Sequence, residues 1–274
     1  MTWQAVDVTD RAAVERAVKA TKPARIFHLA GAPSVETSFT NAVPHLRINV
    51  LGTQYLLGAV QRVGRPCRIL VVTSAQVYGM SDDPIAEESA LLPQSPYGLT
   101  KLAQDRLALS AAAEGLDVVV ARPFNHIGPR QGADFAVPGF ARQIARMELG
   151  LTPPVLKVGN LDARRDITDV RDVVEAYVRI MNGARSGAVY NVCSGRAWRI
   201  GDLLEELLQL SEVPVSMETD PARLRAIDVP VVQGDSSRLR SELGWAPSIP
   251  VEQTLLDTLN DWRNRERTGA QATT

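Results

Sequence analysis

The sequence predicts an α/β fold built on a parallel β-sheet with helices on both of its faces. Three short runs are apolar almost without interruption, as is typical of strands that are buried on both faces. Segments with a helical period of apolar residues lie between these runs, and this alternation predicts parallel strands joined by helical crossovers. The strand-like runs span residues 25–30, 69–72 and 116–121.

Capping residues indicate where the helices of the first half begin and end. Asp10 precedes a helical pattern, and its carboxylate can accept the free N–H groups of a first turn. A second helix contains residues 49–57 and is predicted to end near Gly64. A third begins around Tyr97 and is stopped by Gly115.

After Arg122 the alternation loosens, which indicates a second, smaller lobe. Its helices are predicted at residues 140–149, 169–181, 200–210, 236–244 and 251–264, and its strands at residues 155–158, 189–192 and 213–217. The predicted domains are a lobe over residues 1–122, to which later strands return, a lobe over residues 123–266 and a disordered tail over residues 267–274.

The bulk composition excludes several classes of protein. The chain has 274 residues, 45% of them hydrophobic, and its net charge of −1 provides no global field for nucleic acid or a membrane surface. No apolar run approaches the roughly 18 residues of a spanning helix, and the first residues lack a signal-peptide pattern, so a cytoplasmic location is expected. Cys67 and Cys193 are expected to be buried, reduced thiols, and the three histidines lack metal-ligand spacing.

The chemistry of the chain is predicted by Tyr97 and Lys101, which are four residues apart and so share one helix face. A phenol with an ordinary pKa of about 10 is a poor acid or base at neutral pH, and a neighbouring ammonium is expected to lower that pKa. Ser74 follows the run 69–72, where the strand ends of open α/β sheets bind ligands. These side chains are what is needed to protonate a carbonyl oxygen as a nicotinamide reduces it. An exposed helical pair without function is the alternative.

The glycine-rich opening of a dinucleotide-binding fold is missing from this pattern. Such a fold begins with a strand, a glycine-rich turn and a helix whose N-terminus receives the pyrophosphate. Here the first glycine is Gly31. We therefore expect a Rossmann-type sheet that lacks its first β-α unit of about 30 residues, with weak dinucleotide binding and an exposed edge near Leu29. A late start codon, a deliberate truncation and a degenerate paralogue would each explain the pattern.

In their order along the chain, these motifs resemble the extended short-chain dehydrogenase/reductases, which are NAD(P)-dependent enzymes that act on nucleotide sugars. Ser74, Tyr97 and Lys101 match the catalytic triad of that family. The resemblance implies a site for NADP or NAD formed by Asp7, Val8, Leu29, Ala30, Gly31, Asn49, Thr73, Tyr97 and Lys101. Asn49 belongs to an Asn-x-x-Gly-Thr motif whose amide ties the central strands together in the family.

The second half of the chain resembles the GDP-mannose branch of that family, through residues 124–129, 156–161, 165–172 and 190–195. The resemblance implies a nucleotide-sugar substrate held by Asn125, Lys157, Asn160, Arg165, Arg225 and Asp228. Arg165 and Arg225 are the candidate clamps for the diphosphate, because a guanidinium fork matches phosphate oxygens. A surface ion pair for Arg165 and a turn position for Asn125 are the alternatives.

The resemblance implies NAD(P)H-dependent reduction of a 4-keto-6-deoxy sugar nucleotide, GDP-4-keto-6-deoxy-D-mannose, to GDP-D-rhamnose. Gln76 stands where dehydratases of the family have a glutamate, and an amide cannot exchange a proton, so dehydration is disfavoured. An NAD-dependent 4-epimerase remains open. So does a catalytically silent binding or scaffold protein, which belongs to another functional class.

By analogy with the family, the resemblance also implies a homodimer. The helices at residues 49–63 and 97–114 are expected to pair with their copies as a four-helix bundle. The outer apolar positions of these helices are Leu56, Leu102, Leu107 and Leu109.

Overall fold

The computed structural model describes residues 2–223 and 229–271. Its strands are β1 (Arg25–His28), β2 (Arg68–Val72), β3 (Asp117–Pro123), β4 (Asn125–Ile127), β5 (Val155–Val158), β6 (Arg164–Asp169), β7 (Val189–Val192), β8 (Ala197–Arg199), β9 (Ser216–Thr219) and β10 (Val231–Val232). Its helices are α1 (Arg11–Thr21), α2 (Val35–Thr40), α3 (Ala42–His45), α4 (Gly52–Val63), α5 (Pro96–Ala113), α6 (Ala136–Glu148), α7 (Val170–Gly183), α8 (Ile200–Gln209), α9 (Ser237–Leu243) and α10 (Val251–Gln271). A π-helical segment, Leu46–Leu51, leads into α4, and 3₁₀ turns span Ala75–Val77 and Pro221–Arg223.

Within the described residues, the central sheet has four parallel strands in the order β1-β2-β3-β7. Ile69, Leu70 and Val71 of β2 are wholly buried, so the prediction from continuous apolar runs is confirmed. In the described part of the chain, β1 pairs only with β2. This edge leaves Phe27 41% and Leu29 61% exposed, as expected.

Helices cover both faces of this sheet. On one face α1, α4 and α5 bury a cluster that includes Val14, Leu57 and Val120. On the other face, α7 and α9 pack on β3 and β7 around Ile180 and Trp245. The sheet is therefore the middle layer of three, as alternating strands and helices require.

The second lobe has its own small sheets and its own core. In its described residues, β6 lies between β10 and β4 and also pairs with β8, while β5 pairs with β9. α6, α8 and α10 enclose a core that includes Phe140, Leu203 and Trp262. No helix in the described ranges has the length and apolar character needed to cross a bilayer.

The structure differs from the sequence-based expectations in several places. Strands β4, β6, β8 and β10 were not predicted, and the strand expected at residues 213–217 is β9, Ser216–Thr219. The short helices α2 and α3 and the π-helical segment, which together fill most of the stretch from Val35 to Leu51, were not predicted. α10 continues to Gln271, beyond residue 267 where a disordered tail was expected, and residues 272–274 lie outside the described ranges. Glu266 accepts hydrogen bonds from Arg142 and Arg146 of α6, and this holds the late turns of α10 against the lobe.

A buried ion pair joins α5 to the central sheet. Arg122 of β3 donates two hydrogen bonds to Asp105 of α5, at 2.9 and 2.8 Å, and both side chains are at least 97% buried. Arg122 also donates to the hydroxyl of Tyr78 at 2.8 Å, which in turn donates to Asn191 of β7 at 2.7 Å. Both charges therefore have hydrogen-bond partners, as charges removed from water require.

Replacing Asp105 with alanine is expected to lower the free energy of unfolding by about 3–5 kcal/mol, because Arg122 is then buried without its counter-charge. The double variant Asp105→Leu/Arg122→Met should recover much of that loss. Urea unfolding of the purified variants measures both values. Glu15→Gln, which weakens the exposed pair between Glu15 and Arg11, is the control and should cost far less. A loss for Asp105→Ala no larger than that of the control would contradict the anchoring role of the pair.

Candidate active site

The predicted catalytic side chains meet where β2 ends and α5 begins. Ser74 follows β2, and the hydroxyl of Ser95 caps α5 by accepting a hydrogen bond from the N–H of Gly98 at 3.0 Å. Gly98 lies so close to the 3₁₀ turn that a Cβ there would clash with the carbonyl oxygen of Gln76. This close approach puts Tyr97 within hydrogen-bonding reach of the Ser74 side chain.

Tyr97 is 8% exposed and held from several sides. Its backbone N–H donates to the hydroxyl of Ser38 at 3.1 Å, and its ring meets that of His45 edge to face at 6.2 Å. Burial raises the pKa of Tyr97 to about 12, against the smaller opposing effect of its hydrogen bond with Ser74. The expected lowering of this pKa is therefore wrong for this structure, because loss of solvation dominates. The phenol is protonated at neutral pH, as a proton donor must be.

Lys101 lies one turn further along α5 and is also buried. Its ammonium donates to the carbonyl of Val72 at 3.1 Å and to Oε1 of Gln104 at 2.8 Å. The Nζ atom lies 5.9 Å from the centre of the Tyr97 ring. Burial lowers the pKa of Lys101 to about 8. These two acceptors use two of the three ammonium hydrogens, which leaves one for a ligand.

Asn49 lies in the π-helical segment and fixes the loop after β1. Its side chain accepts from the N–H of Ala32 at 2.9 Å and donates to the hydroxyl of Thr100 at 2.9 Å. The expected tie between central strands is therefore a tie between this loop and α5. A Cβ at Gly31 would lie 3.2 Å from Oδ1 of Asn49 and 3.4 Å from Nζ of Lys101, so the glycine lets this loop pack closely against both side chains.

Asp7 and Val8, two of the predicted cofactor residues, precede α1. Asp7 is exposed, and its carboxylate accepts hydrogen bonds from the N–H and the hydroxyl of Thr9, both at 2.8 Å. Val8 packs on the start of α4, where a Cβ at Gly52 would lie 3.0 Å from its side chain. Val8 therefore packs beside Gly52, one turn of helix after Asn49.

Three other predicted cofactor residues lie at strand ends. Leu29 is exposed and Ala30 half-buried just after β1, and both directly precede Gly31. Thr73 follows β2, but its side chain is 2% exposed and donates to the Ala121 carbonyl at 3.2 Å. A cofactor contact from Thr73 therefore has to come from its backbone.

Three predicted substrate residues lie at different points of the second half. Asn125 is exposed at the start of β4, directly beyond β3 and so at the same sheet edge as Ser74. The ammonium of Lys157 donates to Glu218 at 2.6 Å, across the β5-β9 pair. Oδ1 of Asn160 accepts from the N–H of Asp162 at 2.9 Å. Of these three residues, Asn125 is the one that lies at the same sheet edge as Ser74.

Arg165 of β6 contacts the segment that carries the remaining two candidates. Its guanidinium donates to the carbonyl of Val229 at 2.7 Å. Arg225 and Asp228 precede Val229 and lie outside the described residues. Arg165 therefore contacts the residue at which the described chain resumes before β10.

A buried chain of polar side chains behind Lys101 was not predicted from the sequence. The amide N–H₂ of Gln104 donates to the hydroxyl of Thr53 at 2.8 Å, and this hydroxyl lies 2.8 Å from Nε2 of His28. The spacing could have identified Gln104, because a residue three positions after Lys101 shares its helix face. Nothing local in the sequence indicates the contacts to Thr53 and His28, which lie on other elements.

The two cysteines are buried free thiols, as predicted. Burial raises the pKa of Cys67 and of Cys193, so neither is a thiolate at neutral pH. Across the described residues, no group of three or more His, Cys, Asp or Glu side chains is arranged to hold a metal ion.

Comparison with known proteins identifies the family to which this site belongs. A family model described as GDP-mannose 4,6 dehydratase matches residues 1–258. The chain belongs to this family. It is thereby an extended short-chain dehydrogenase/reductase, and the resemblance inferred from the motifs is confirmed.

Individual relatives agree with this assignment. GDP-6-deoxy-D-mannose reductase of Pseudomonas aeruginosa is 42% identical over 249 residues, which cover 89% of this chain and 82% of that protein. A dTDP-glucose 4,6-dehydratase of Streptomyces niveus is 31% identical, over 87% of this chain and 70% of its own length. The solved structure of RMD from Pseudomonas aeruginosa complexed with NADPH matches with a TM-score of 0.90 at 38% identity, over 96% and 88% of the two chains. The Rossmann-type α/β fold is confirmed.

The stability of the fold is expected to depend on pH through His28. Burial, with a smaller contribution from the charge of Lys101, lowers the pKa of His28 from 6.5 to about 4. As the pH falls through this window the unfolded chain binds a proton that the folded chain does not, so the free energy of unfolding falls. The complete difference corresponds to about 3 kcal/mol.

Urea unfolding near pH 7 and near pH 4.5 measures this effect. The His28→Gln variant should lose less stability between these conditions than the wild-type chain, since its side chain does not titrate. Equal losses in both proteins would assign the pH dependence to other groups.

Proposed function

We propose that this chain reduces GDP-4-keto-6-deoxy-D-mannose to GDP-D-rhamnose with NADPH. The observation that carries the proposal is a buried, protonated Tyr97 beside Ser74 and Lys101 at the ligand-binding edge of a parallel sheet. The 42% identity to a GDP-6-deoxy-D-mannose reductase supports this substrate. The NADPH complex of RMD supports NADPH as the cofactor, in preference to NADH.

The residues present fit the nicotinamide half of a dinucleotide. Lys101 retains one N–H for a ribose hydroxyl, and Gly31 lets the loop after β1 approach Asn49 and Lys101 closely at this site. The Asp7-Val8 segment is the candidate for the adenine end. When bound, NADPH supplies the hydride that reduces C4 of the sugar.

The chain's own residues handle the proton. Tyr97 donates its phenolic proton to the C4 oxygen of the sugar, and Ser74 donates a hydrogen bond that holds this oxygen. The charge of Lys101 stabilises the negative charge that develops on the phenol oxygen as the proton leaves. Because both side chains are more than 90% buried, this attraction is stronger than it would be in water.

Gln76 favours reduction over dehydration for this chain, although its relatives include 4,6-dehydratases. The residue is half-buried in the 3₁₀ turn directly after Ser74, so it lies beside the reacting centre. Its amide has no titratable proton, and elimination of water requires a group that takes one from carbon.

The second lobe is proposed to hold the GDP moiety. Arg165 and Arg225 would contact the diphosphate, with Asp228 on ribose hydroxyls and Asn125 near the sugar. Lys157 and Asn160 are assigned to the nucleotide. Lys157 must exchange its contact with Glu218 for a ligand, which costs little because both partners of this ion pair are more than 40% exposed.

Tyr97→Phe tests the proton donor. We expect kcat to fall by about 100-fold or more, because only the transferable proton is lost. Binding of GDP should change by less than about threefold, because the phenylalanine ring preserves the packing. NADPH consumption followed by absorbance and calorimetric titration with GDP measure the two quantities. Tyr55→Phe, at a half-buried tyrosine of α4 outside the site, is the matched control and should turn over like the wild-type chain.

Lys101→Met separates this mechanism from a site without function. Turnover and NADPH affinity should both fall, because the variant loses the charge and the ribose donor together.

Wild-type-like turnover in Tyr97→Phe would overturn the catalytic assignment. Tightly bound NAD that co-purifies with the chain, without net consumption of NADPH, would instead identify a 4-epimerase. Absence of dinucleotide binding would indicate the silent scaffold.

We further propose that the enzyme is a cytoplasmic homodimer paired through α4 and α5. Leu56, Leu102, Leu107 and Leu109 are half-buried against the protomer's own core rather than fully outward. The more exposed apolar side chains near these helices are Phe39, Val43, Leu46, Leu51 and Leu99, each at least 43% exposed. These exposed apolar side chains lie on elements next to α4 and on α5 itself, and they support an interface between two copies.

Leu46→Lys/Leu51→Lys is expected to convert the dimer to a monomer, because like charges would face each other across the two-fold axis. Sedimentation equilibrium measures the mass in solution. Leu151→Lys, which charges an equally exposed leucine of the second lobe, should leave the mass unchanged. A double variant that stays dimeric would exclude this surface.

A further inference from the structure

A buried row of hydrogen bonds runs from Lys101 through Gln104 and Thr53 to His28. Each of its three contacts is 2.8 Å long. Gln104 and Thr53 are wholly buried, and His28 is 4% exposed. The row crosses from α5 to α4 to β1, so it joins three elements behind the reactive phenol.

The donors and acceptors of this row fix the orientation of the Gln104 amide. An ammonium can only donate, so the oxygen of the amide must face Lys101 and its N–H₂ group must face Thr53. The hydroxyl of Thr53 lies 2.7 Å from the Asn49 carbonyl, which provides an acceptor for its own hydrogen. Gln104 is therefore held at both ends of its amide.

We propose that Gln104 is a positioning residue, which holds the ammonium of Lys101 between the end of β2 and the reacting phenol. The proposal rests on the proposed function, since it concerns the same site. Lys101 has a flexible four-carbon stem, and its buried ammonium depends on fixed acceptors for orientation. The Val72 carbonyl fixes one N–H direction and Gln104 fixes a second, which together define the third.

A neutral amide suits this position because it accepts from the ammonium without cancelling its charge. The titratable and charged groups that face Lys101 are Tyr97 on its own helix and His28 on β1, with the Asp105–Arg122 pair one turn further along α5. Burial keeps His28 neutral near pH 7, and Asp105 is paired with Arg122. Gln104 is thus the side chain that sets how well the Lys101 charge is retained.

The test is the pH dependence of kcat between about pH 6 and pH 10 for variants at position 104. Burial lowers the pKa of Lys101 to about 8, so wild-type activity should fall on the alkaline side as this charge is lost. Gln104→Met has a similar volume but no acceptor, and should move the alkaline limb to lower pH by about one to two units. Gln104→Glu adds a carboxylate beside the ammonium and should move the limb to higher pH.

Val118→Ala is the control, because it removes buried volume from the same sheet without contacting Lys101. It should leave the alkaline limb where the wild-type chain has it. NADPH binding, followed by fluorescence, is measured in parallel for every variant. A wild-type chain that neither binds NADPH nor turns over would contradict the proposed function itself.

If the wild-type chain is active and the alkaline limb of kcat lies at the same pH in Gln104→Met, the positioning role is overturned. If Gln104→Met does not fold, Gln104→Glu decides the question alone, since it keeps an acceptor of the same length. An unshifted limb in Gln104→Glu would overturn the proposal, and a limb at higher pH would support it.

Discussion

The buried ion pair between Asp105 and Arg122 determines where α5 lies on the sheet, and the candidate active site depends on that position. Two charged hydrogen bonds of 2.9 and 2.8 Å tolerate little movement of the helix relative to β3. Tyr97, Lys101 and Gln104 lie on the same buried face of α5 as Asp105. A rotation by one residue, about 100°, would take all of them away from the strand ends.

In the second lobe, two buried aspartates hold the chain by accepting hydrogen bonds from backbone N–H groups, whereas the carboxylate of α5 pairs with an arginine. Asp166 accepts from the backbone N–H groups of Ser194, Gly195 and Gly234, at 2.8, 2.9 and 3.1 Å. Asp172 does the same for the loop before α10, where it accepts from Ile249 at 3.0 Å. These aspartates of the motif at residues 165–172 therefore join segments far apart in the chain, and Arg165 is the member that contacts the segment before β10.

Local pattern was sufficient to predict the central sheet with its helices and to place Tyr97 and Lys101 on one face of α5. Apolar runs indicated β2 and β3, and the four-residue spacing of Tyr97 and Lys101 indicated a shared helix face, because both properties repeat over a few residues. The partner of Arg122 and the contact between Thr53 and His28 could not be predicted in this way. These contacts join residues 17 and 25 positions apart, and only the packing of helices on the sheet brings them together. The pKa of Tyr97 was misjudged for the same reason, since burial is a property of the whole fold.

The charges around the phenol of Tyr97 favour loss of its proton to a substrate over uptake of a proton from one. The hydrogen-bond acceptors that the structure gives to Lys101, the Val72 carbonyl and the Gln104 amide, are both uncharged. Asp105, the nearest carboxylate along α5, is already paired with Arg122. A buried cation that keeps its full charge is costly in the resting protein, but it stabilises negative charge that appears beside it. In the proposed reaction such charge develops on the Tyr97 oxygen as its proton leaves, and the buried charge of Lys101 would stabilise it at that point. In the proposed reaction an amide at Gln76 in place of an acid suits proton donation to oxygen, because an amide does not take a proton from carbon.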